Sequence, residues 1–247
     1  MGLVVLVSTN LLLAAPKGRK VKHSQEKKGF VAVSIGGSIP ISNYAATDST
    51  RGSGSGYAKT GVNLNLTAGY KFLPFMGAMI KVDASANKFD IETFAQQVSS
   101  PTVQTTATAS PYSMGSVFLG PFFSFSTEHV DFDLHTLVGA SSMSFPKIGV
   151  TQSIPGYPIS IKSTFEIPAS ATFAYNVGAG LKIKFGGPVS LLLNADYFGA
   201  EYHYTNLKTT RESAVLGSSS TSSVIDKRSY KQKVDLVNLT VGVAFNF

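Results

Sequence analysis

The 247 residues allow one large domain or two small ones, and 43% hydrophobic and 11% aromatic residues against 14% charged exclude a charge-rich disordered chain. The absence of cysteine excludes a disulfide scaffold, a cysteine-ligated zinc site and a thiol nucleophile. The formal charge of +7 is not a nucleic-acid footprint: six basic side chains against one acid fall in residues 17–28, and the remaining 15 basic and 13 acidic residues nearly cancel.

Gly2 to Ala15 is an apolar run broken by Ser8, Thr9 and Asn10. It is too short for the roughly 20 residues that a spanning helix needs. It reads as the remnant of a signal peptide, residues 1–15, although no Lys or Arg precedes it and Pro16 follows Ala14 and Ala15 where cleavage is expected. The alternative is a buried first strand or helix. Residues 16–28 read as a basic, solvated linker, and residues 29–247 as one domain.

From Gly29 onward the chain alternates with period two, the signature of strands with two unlike faces. In the first strand Val31, Val33, Ile35 and Ile39 oppose Phe30, Ala32, Ser34, Gly36 and Ser38. The second sets Val62, Leu64, Leu66, Ala68, Tyr70 and Phe72 against Asn63, Asn65, Thr67, Gly69 and Lys71. The third sets Met76, Ala78, Ile80, Val82, Ala84 and Ala86 against Gly77, Met79, Lys81, Asp83, Ser85 and Asn87. The fourth, Tyr112 to Phe125, is apolar on both faces, so its parity is open. The fifth opposes Phe132, Leu134, Thr136 and Val138 to Asp133, His135, Leu137 and Gly139; the sixth opposes Tyr175, Val177, Leu181 and Ile183 to Asn176, Gly178, Lys182 and Lys184. The seventh opposes Val189, Leu191, Leu193 and Tyr197 to Ser190, Leu192, Asn194 and Asp196; the last opposes Val237, Leu239, Val241, Val243, Phe245 and Phe247 to Leu236, Asn238, Thr240 and Asn246.

A soluble sandwich turns its apolar face inward and covers the other with Lys, Glu, Arg and Asp. Here the polar faces are mostly Gly, Ser, Asn and Thr, which suits a narrow interior, and the apolar faces are nearly free of charge, which suits lipid. Links also alternate in length. Those after the second, fourth and sixth strands are short, whereas Ile41–Thr60, Lys88–Pro111, Ser142–Thr172 and Gly199–Gln232 are long. Short turns facing the periplasm and long loops facing outside are the pattern of an outer-membrane barrel. Aromatics gather at both ends: Tyr70, Phe72, Phe75, Phe125, Phe132, Phe185, Phe245 and Phe247 by the short turns, and Tyr44, Phe89, Tyr112, Phe145, Phe173, Tyr197 and Tyr202 by the long loops. Two interfacial girdles are the expectation. The expected fold is all-β, an eight-stranded antiparallel up-and-down transmembrane β-barrel.

Gly29–Gly37, Gly61–Phe72, Leu119–Phe125, Leu191–Phe198 and the ending Leu239–Phe247 resemble the small outer-membrane β-barrel proteins, the porin-family group that includes the barrels of outer membrane proteins A and X. The resemblance covers Gly29 to Phe247. It implies residence in the outer membrane of a Gram-negative bacterium, contact with outer-membrane lipid, and a C-terminal signal at Phe245 and Phe247 for the barrel-assembly machinery. It implies no single activity, because members of the group include structural proteins, adhesins, small pores and a few lipid-modifying enzymes.

The inward parity carries Lys71, Lys81, Asp83, Asp133, His135, Lys182, Lys184 and Asp196, with both signs present. These are expected to pair across the lumen as a structural or gating network. Asp133, His135 and Ser141 suggest a nucleophile system only weakly, since alternate strand residues stand about 7 Å apart. His23, His129 and His203 lack metal-ligand spacing. Gly52–Gly56 and Gly178–Gly180 fail the spacing of a phosphate loop. No catalytic residue, metal or cofactor is assigned. The Ser-rich Gly217 to Ser223 reads as a mobile loop stretch. The functional expectation is a non-enzymatic structural or surface-exposed protein whose long loops carry binding and whose lumen is plugged. A small passive solute pore, an enzyme acting on outer-membrane lipid and a soluble barrel holding an apolar ligand are the alternatives.

Overall fold

The computed structural model describes residues 27–48, 54–100, 102–215 and 218–247. The signal-peptide reading of 1–15 and nearly all of the linker reading of 16–28 fall outside the described residues.

Eight long strands build the body: β1 (Gly29–Ile41), β2 (Ala58–Leu73), β3 (Met76–Phe89), β5 (Tyr112–Ser126), β6 (Val130–Ser144), β9 (Ser170–Lys184), β10 (Val189–Tyr204) and β13 (Tyr230–Asn246). They close into a barrel in the order β1-β13-β10-β9-β6-β5-β3-β2. Every pair is antiparallel, and the seam between the first and last strands runs unbroken from Phe30 opposite Asn246 to Ile41 opposite Asp235. Closure leaves no strand edge in the ring, so the backbone pairs within the wall, with irregularities between Ala58 and Gly61 and between Lys71 and Leu73.

The wall alternates as the sequence predicts. Val33, Ile35, Leu64, Leu119 and Val243 stand exposed at 54, 60, 51, 61 and 55%. Their neighbours Ser34, Asn63, Asn65 and Phe118 are buried inside. Strand β5, ambiguous in sequence, turns Val117, Leu119, Phe123 and Phe125 outward and Met114, Phe118 and Phe122 inward. A continuous apolar outer surface of this extent is unstable in water and suits a lipid sleeve.

At the short-turn end the girdle is present: Tyr70, Phe72, Phe75, Phe125, Phe132, Phe185, Phe245 and Phe247 are all exposed. The expected girdle at the other end is corrected. Tyr44, Tyr112, Phe145 and Tyr202 are buried inside the barrel, while Phe173 is exposed and Tyr197 half-buried. The reason is parity. Tyr112 and Tyr202 lie on the inward register of their strands, and Tyr44 enters from the short helix α1 (Ser42–Ala45), which folds over the rim after β1.

The long links are not structureless. Strands β4 (Gln104–Ala109), β7 (Ile148–Ser153), β8 (Ile159–Glu166), β11 (Leu207–Val215) and β12 (Ser218–Asp226) form a second, five-stranded antiparallel sheet in the order β12-β11-β8-β7-β4. The Ser-rich stretch expected to be mobile is, over its described part, strand β12, paired with β11 from Asp226 opposite Leu207 to Ser218 opposite Val215. Water can wet both faces of such a sheet, so its strands carry no apolar alternation and their β-branched Thr and Val are the remaining signal. Helix α2 (Ile91–Val98) sits between β3 and β4. Its N-cap Asp90 accepts from the Thr93 amide at 3.2 Å and hydroxyl at 2.9 Å.

Two inward glycines make room for rings. The Phe30 ring lies where a side chain on Gly69 would stand, and the Phe122 ring does the same over Gly77. The two rings meet edge to face at 5.8 Å. Gly77→Val is expected to lower stability by about 1–3 kcal/mol through overpacking, read as a lower urea midpoint in lipid vesicles. Gly37→Ala, which meets open space, is expected to leave the midpoint unchanged. Equal effects of the two would contradict this packing.

Candidate functional site

The interior is stacked in layers, each set by the inward register of the strands. Across the middle, the Lys81 ammonium meets Asp196 Oδ2 at 2.6 Å, and His135 Nε2 meets Asp196 Oδ1 at 2.7 Å. Strands β3 and β10 lie on opposite sides of the ring. The Lys81–Asp196 pair therefore bridges the whole lumen rather than two neighbouring strands. Its side chains are 2 and 0% exposed. Asn176 Oδ1 lies 3.2 Å from the same His135 nitrogen.

Toward the short-turn end, Lys182 pairs with Asp133 at 2.7 Å and rests its ammonium 3.7 Å from the centre of the Phe30 ring. Lys184 pairs with Asp131 at 2.7 Å, and Lys71 donates to the Ser126 hydroxyl at 3.0 Å. Asp83 is held by neutral donors, the Asn63 amide at 2.9 Å and the Ser85 hydroxyl at 3.2 Å. The cavity between Phe30, Met79, Lys81 and His135 has a volume of about 10 Å³, room for one water at most.

The long-loop end is closed by rings. Tyr44 packs on Tyr112 at 5.1 Å, Tyr112 on Phe145 at 6.4 Å and Phe145 on Tyr202 at 6.5 Å. The Tyr112 hydroxyl donates to the Gly56 carbonyl at 2.7 Å, tying the β1–β2 connection over the rim. Beneath them Phe118 meets Phe198 at 6.0 Å, again from β5 to the far wall.

The structure thus brings Lys81, His135 and Asp196 into one cluster and Asp133 with Lys182 into a second. It places Lys71 and Lys184 at the mouth and leaves Asp83 among asparagine and serine. It separates Asp133, His135 and Ser141: His135 turns to Asp196, Asp133 to Lys182, and the Ser141 hydroxyl lies 2.5 Å from that of Tyr202. Asp131 is a partner that sequence reasoning passed over, although it shares the parity of Asp133 and His135. Asn63, Asn65 and Asn176 were visible only as polar-face residues. Among the described residues, no group of three or more His, Asp or Glu side chains stands close enough to hold a metal ion.

Beyond the membrane belt the charges pair locally. Burial pushes the Asp90 carboxyl up, but the Lys59 ammonium at 2.9 Å and the two Thr93 bonds outweigh it and hold it below its ordinary value. Contact with Lys147 lowers Glu166. The Arg228 guanidinium, with the Tyr230 hydroxyl, holds Asp226 well below the usual carboxylate range.

A closed antiparallel ring, greasy outside, charged and packed inside, with short turns at one rim and long excursions at the other, defines the class. It is an eight-stranded antiparallel β-barrel with a lipid-facing wall, the architecture of small outer-membrane barrels, and its second sheet stands at the long-loop rim. No family model matches the chain, and no curated protein matches it by sequence. Solved structures do. Neisserial surface protein A is 13% identical over 89% of this chain and 97% of its own, with a TM-score of 0.39. Ail, the attachment invasion locus protein of Yersinia pestis, is 17% identical over 89 and 99%, with a TM-score of 0.39. The outer membrane protease OmpT of Escherichia coli is 7% identical over 92 and 99%, with a TM-score of 0.37.

Removing one partner of a buried ion pair strands the other. Asp196→Ala is expected to cost about 3–5 kcal/mol, because Lys81 and His135 both lose their carboxylate. The double variant Lys81→Met, Asp196→Leu is expected to be more stable than Asp196→Ala. Urea unfolding of the refolded barrel measures both; a double variant less stable than Asp196→Ala would show that the pair is not the unit.

Proposed function

We propose that this chain is a surface-exposed envelope protein. In this reading the barrel is the anchor, the outer sheet carries binding, and the lumen is plugged by paired charges and aromatic rings. The observation that supports it most is the five-stranded sheet standing beyond the ring-lined rim. One of its faces holds a polar groove of about 600 Å³. Thr108, Thr164 and Thr210 line it with the contacts Lys147–Glu166 and Lys162–Glu212, the latter at 3.3 Å. Hydroxyls and alternating charges on a flat sheet suit a hydrated partner, such as a glycan or a polar peptide segment, more than a lipid tail.

A passive solute pore is the second reading. The Lys81–Asp196 bridge, the ring cap and the small central cavity argue against an open path. A soluble barrel holding an apolar ligand does not suit the exterior, where the apolar faces point away from the interior. The chain is read as non-enzymatic: among the described residues the lumenal histidine is His135, and its Nε2 is engaged by Asp196. In this reading Phe245 and Phe247, both exposed at the short-turn rim, serve as the signal for the barrel-assembly machinery.

An epitope inserted between β11 and β12 is expected to be stained by antibody on intact cells, and replacing 207–226 by a short turn is expected to keep a heat-modifiable folded barrel while abolishing cell-surface binding on a glycan and peptide array. Staining only after permeabilisation would overturn the orientation. In planar bilayers the wild-type protein is expected to show no stable conductance steps; regular steps would favour the pore.

A further inference from the structure

At the periplasmic mouth the barrel opens into a cavity of about 460 Å³, within the size range of small-ligand sites. Its wall carries five lysines, Lys27, Lys28, Lys71, Lys182 and Lys184, against two acids, Glu128 and Asp131. The acids do not balance them. Asp131 is engaged by Lys184, and Lys182 takes Asp133 from the layer above. Lys27 donates to the Gly187 carbonyl, a neutral partner, at 3.0 Å. Lys71 is 8% exposed and has the Ser126 hydroxyl as its partner, with no carboxylate within ion-pair distance among the described residues.

Such an arrangement is costly when empty. A buried ammonium whose nearby carboxylate, Asp131, is already engaged by Lys184 loses hydration that a hydroxyl replaces only in part. The low-dielectric barrel wall also focuses the field of Lys27, Lys28 and Lys71, the three lysines not ion-paired to Asp131 or Asp133, into the opening, raising the local concentration of anions. The floor is closed by Phe30 and by Lys182 above its ring, so a ligand enters the mouth and goes no further. The exposed Phe72, Phe185 and Phe247 mark this rim as the level of the lipid headgroups.

We propose that this vestibule is a binding site for a phosphate group, with Lys71 as its buried anchor and Lys28 and Lys184 at its entrance. Ammonium groups grip phosphate as point charges without fixed geometry, which suits lysines converging from β2, β9 and the residues just before β1. The phosphate has two possible sources on this side: the headgroup of an anionic phospholipid in the periplasmic leaflet, or a free phosphate compound in the periplasm. The site is separate from the outer sheet and from the Lys81–Asp196 bridge.

The test uses the full chain, refolded in a zwitterionic detergent and in nanodiscs. Pyrophosphate titration by calorimetry probes the soluble source; native mass spectrometry with phosphatidylglycerol against phosphatidylcholine probes the headgroup. At least one probe is expected to bind, about tenfold more weakly to Lys71→Gln, with Lys71→Arg retaining binding and the outer-sheet control Lys162→Gln unchanged. Pyrophosphate binding assigns a soluble ligand, and retention of phosphatidylglycerol alone assigns the headgroup. Should Lys71→Gln fail to show the heat-modifiable mobility of a folded barrel, the exposed Lys28→Gln carries the same comparison. Absence of binding by both probes, or binding equal in wild type, Lys71→Gln and Lys28→Gln, would overturn the proposal.

Discussion

A backbone crossing hydrocarbon must satisfy every amide and carbonyl within itself, and a β-chain meets that demand only by returning to its own first strand. The β1–β13 seam does this, with Val31 opposite Phe245 and Ile35 opposite Val241. Once the ring is closed, the period of two assigns each side chain to lipid or lumen with no third choice. Leu64 lies outside because Asn63 and Asn65 lie inside, and a one-residue slip would carry both asparagines into acyl chains. Register, burial and the location of the charges all descend from that closure.

The lumen answers a second constraint. Eight strands enclose space for side chains but not for bulk water, so each inward charge needs a partner close by. Lys81 and Asp196 solve this across the diameter, Lys182 and Asp133 between neighbouring strands. The rings of Phe118, Phe198, Tyr112 and Phe145 occupy the levels above with apolar bulk. At the short-turn end pairing is incomplete, and there the lysine excess of the vestibule begins.

The eight membrane strands were legible because lipid outside and polar lumen inside leave a strict alternation in each, as in Val62 to Phe72. Strand β5 was visible as a strand but not in parity: Met114, Phe118 and Phe122 line the lumen with residues as apolar as those on its outer face. The outer sheet was illegible for the opposite reason. Strand β12 is Ser218 to Ser223 followed by Val224, Ile225 and Asp226, and with water available to both faces no period survives. The inward charges were readable one strand at a time, yet their partners were not. The up-and-down order already sets the third and seventh predicted strands, β3 and β10, on opposite sides; that Lys81 and Asp196 meet at one level was not readable, because it follows from the register around the ring. The upper aromatics misled for a related reason: proximity to a strand end says nothing about the face, and Tyr112 and Tyr202 fall on the inner one.

The account rests on which way the apolar faces point. Spin labels placed singly at positions 33, 64, 119 and 243 in the refolded protein, in phospholipid bilayers, report this through their collisions with oxygen and with a water-soluble nickel chelate. High oxygen and low nickel accessibility at all four positions, with labels at the solvent-exposed 211 and 222 of the outer sheet showing the reverse, is the predicted result. Nickel accessibility at positions 64 and 119 equal to that at 211 and 222 would mean that the apolar surface meets water, and the membrane-spanning barrel would be contradicted.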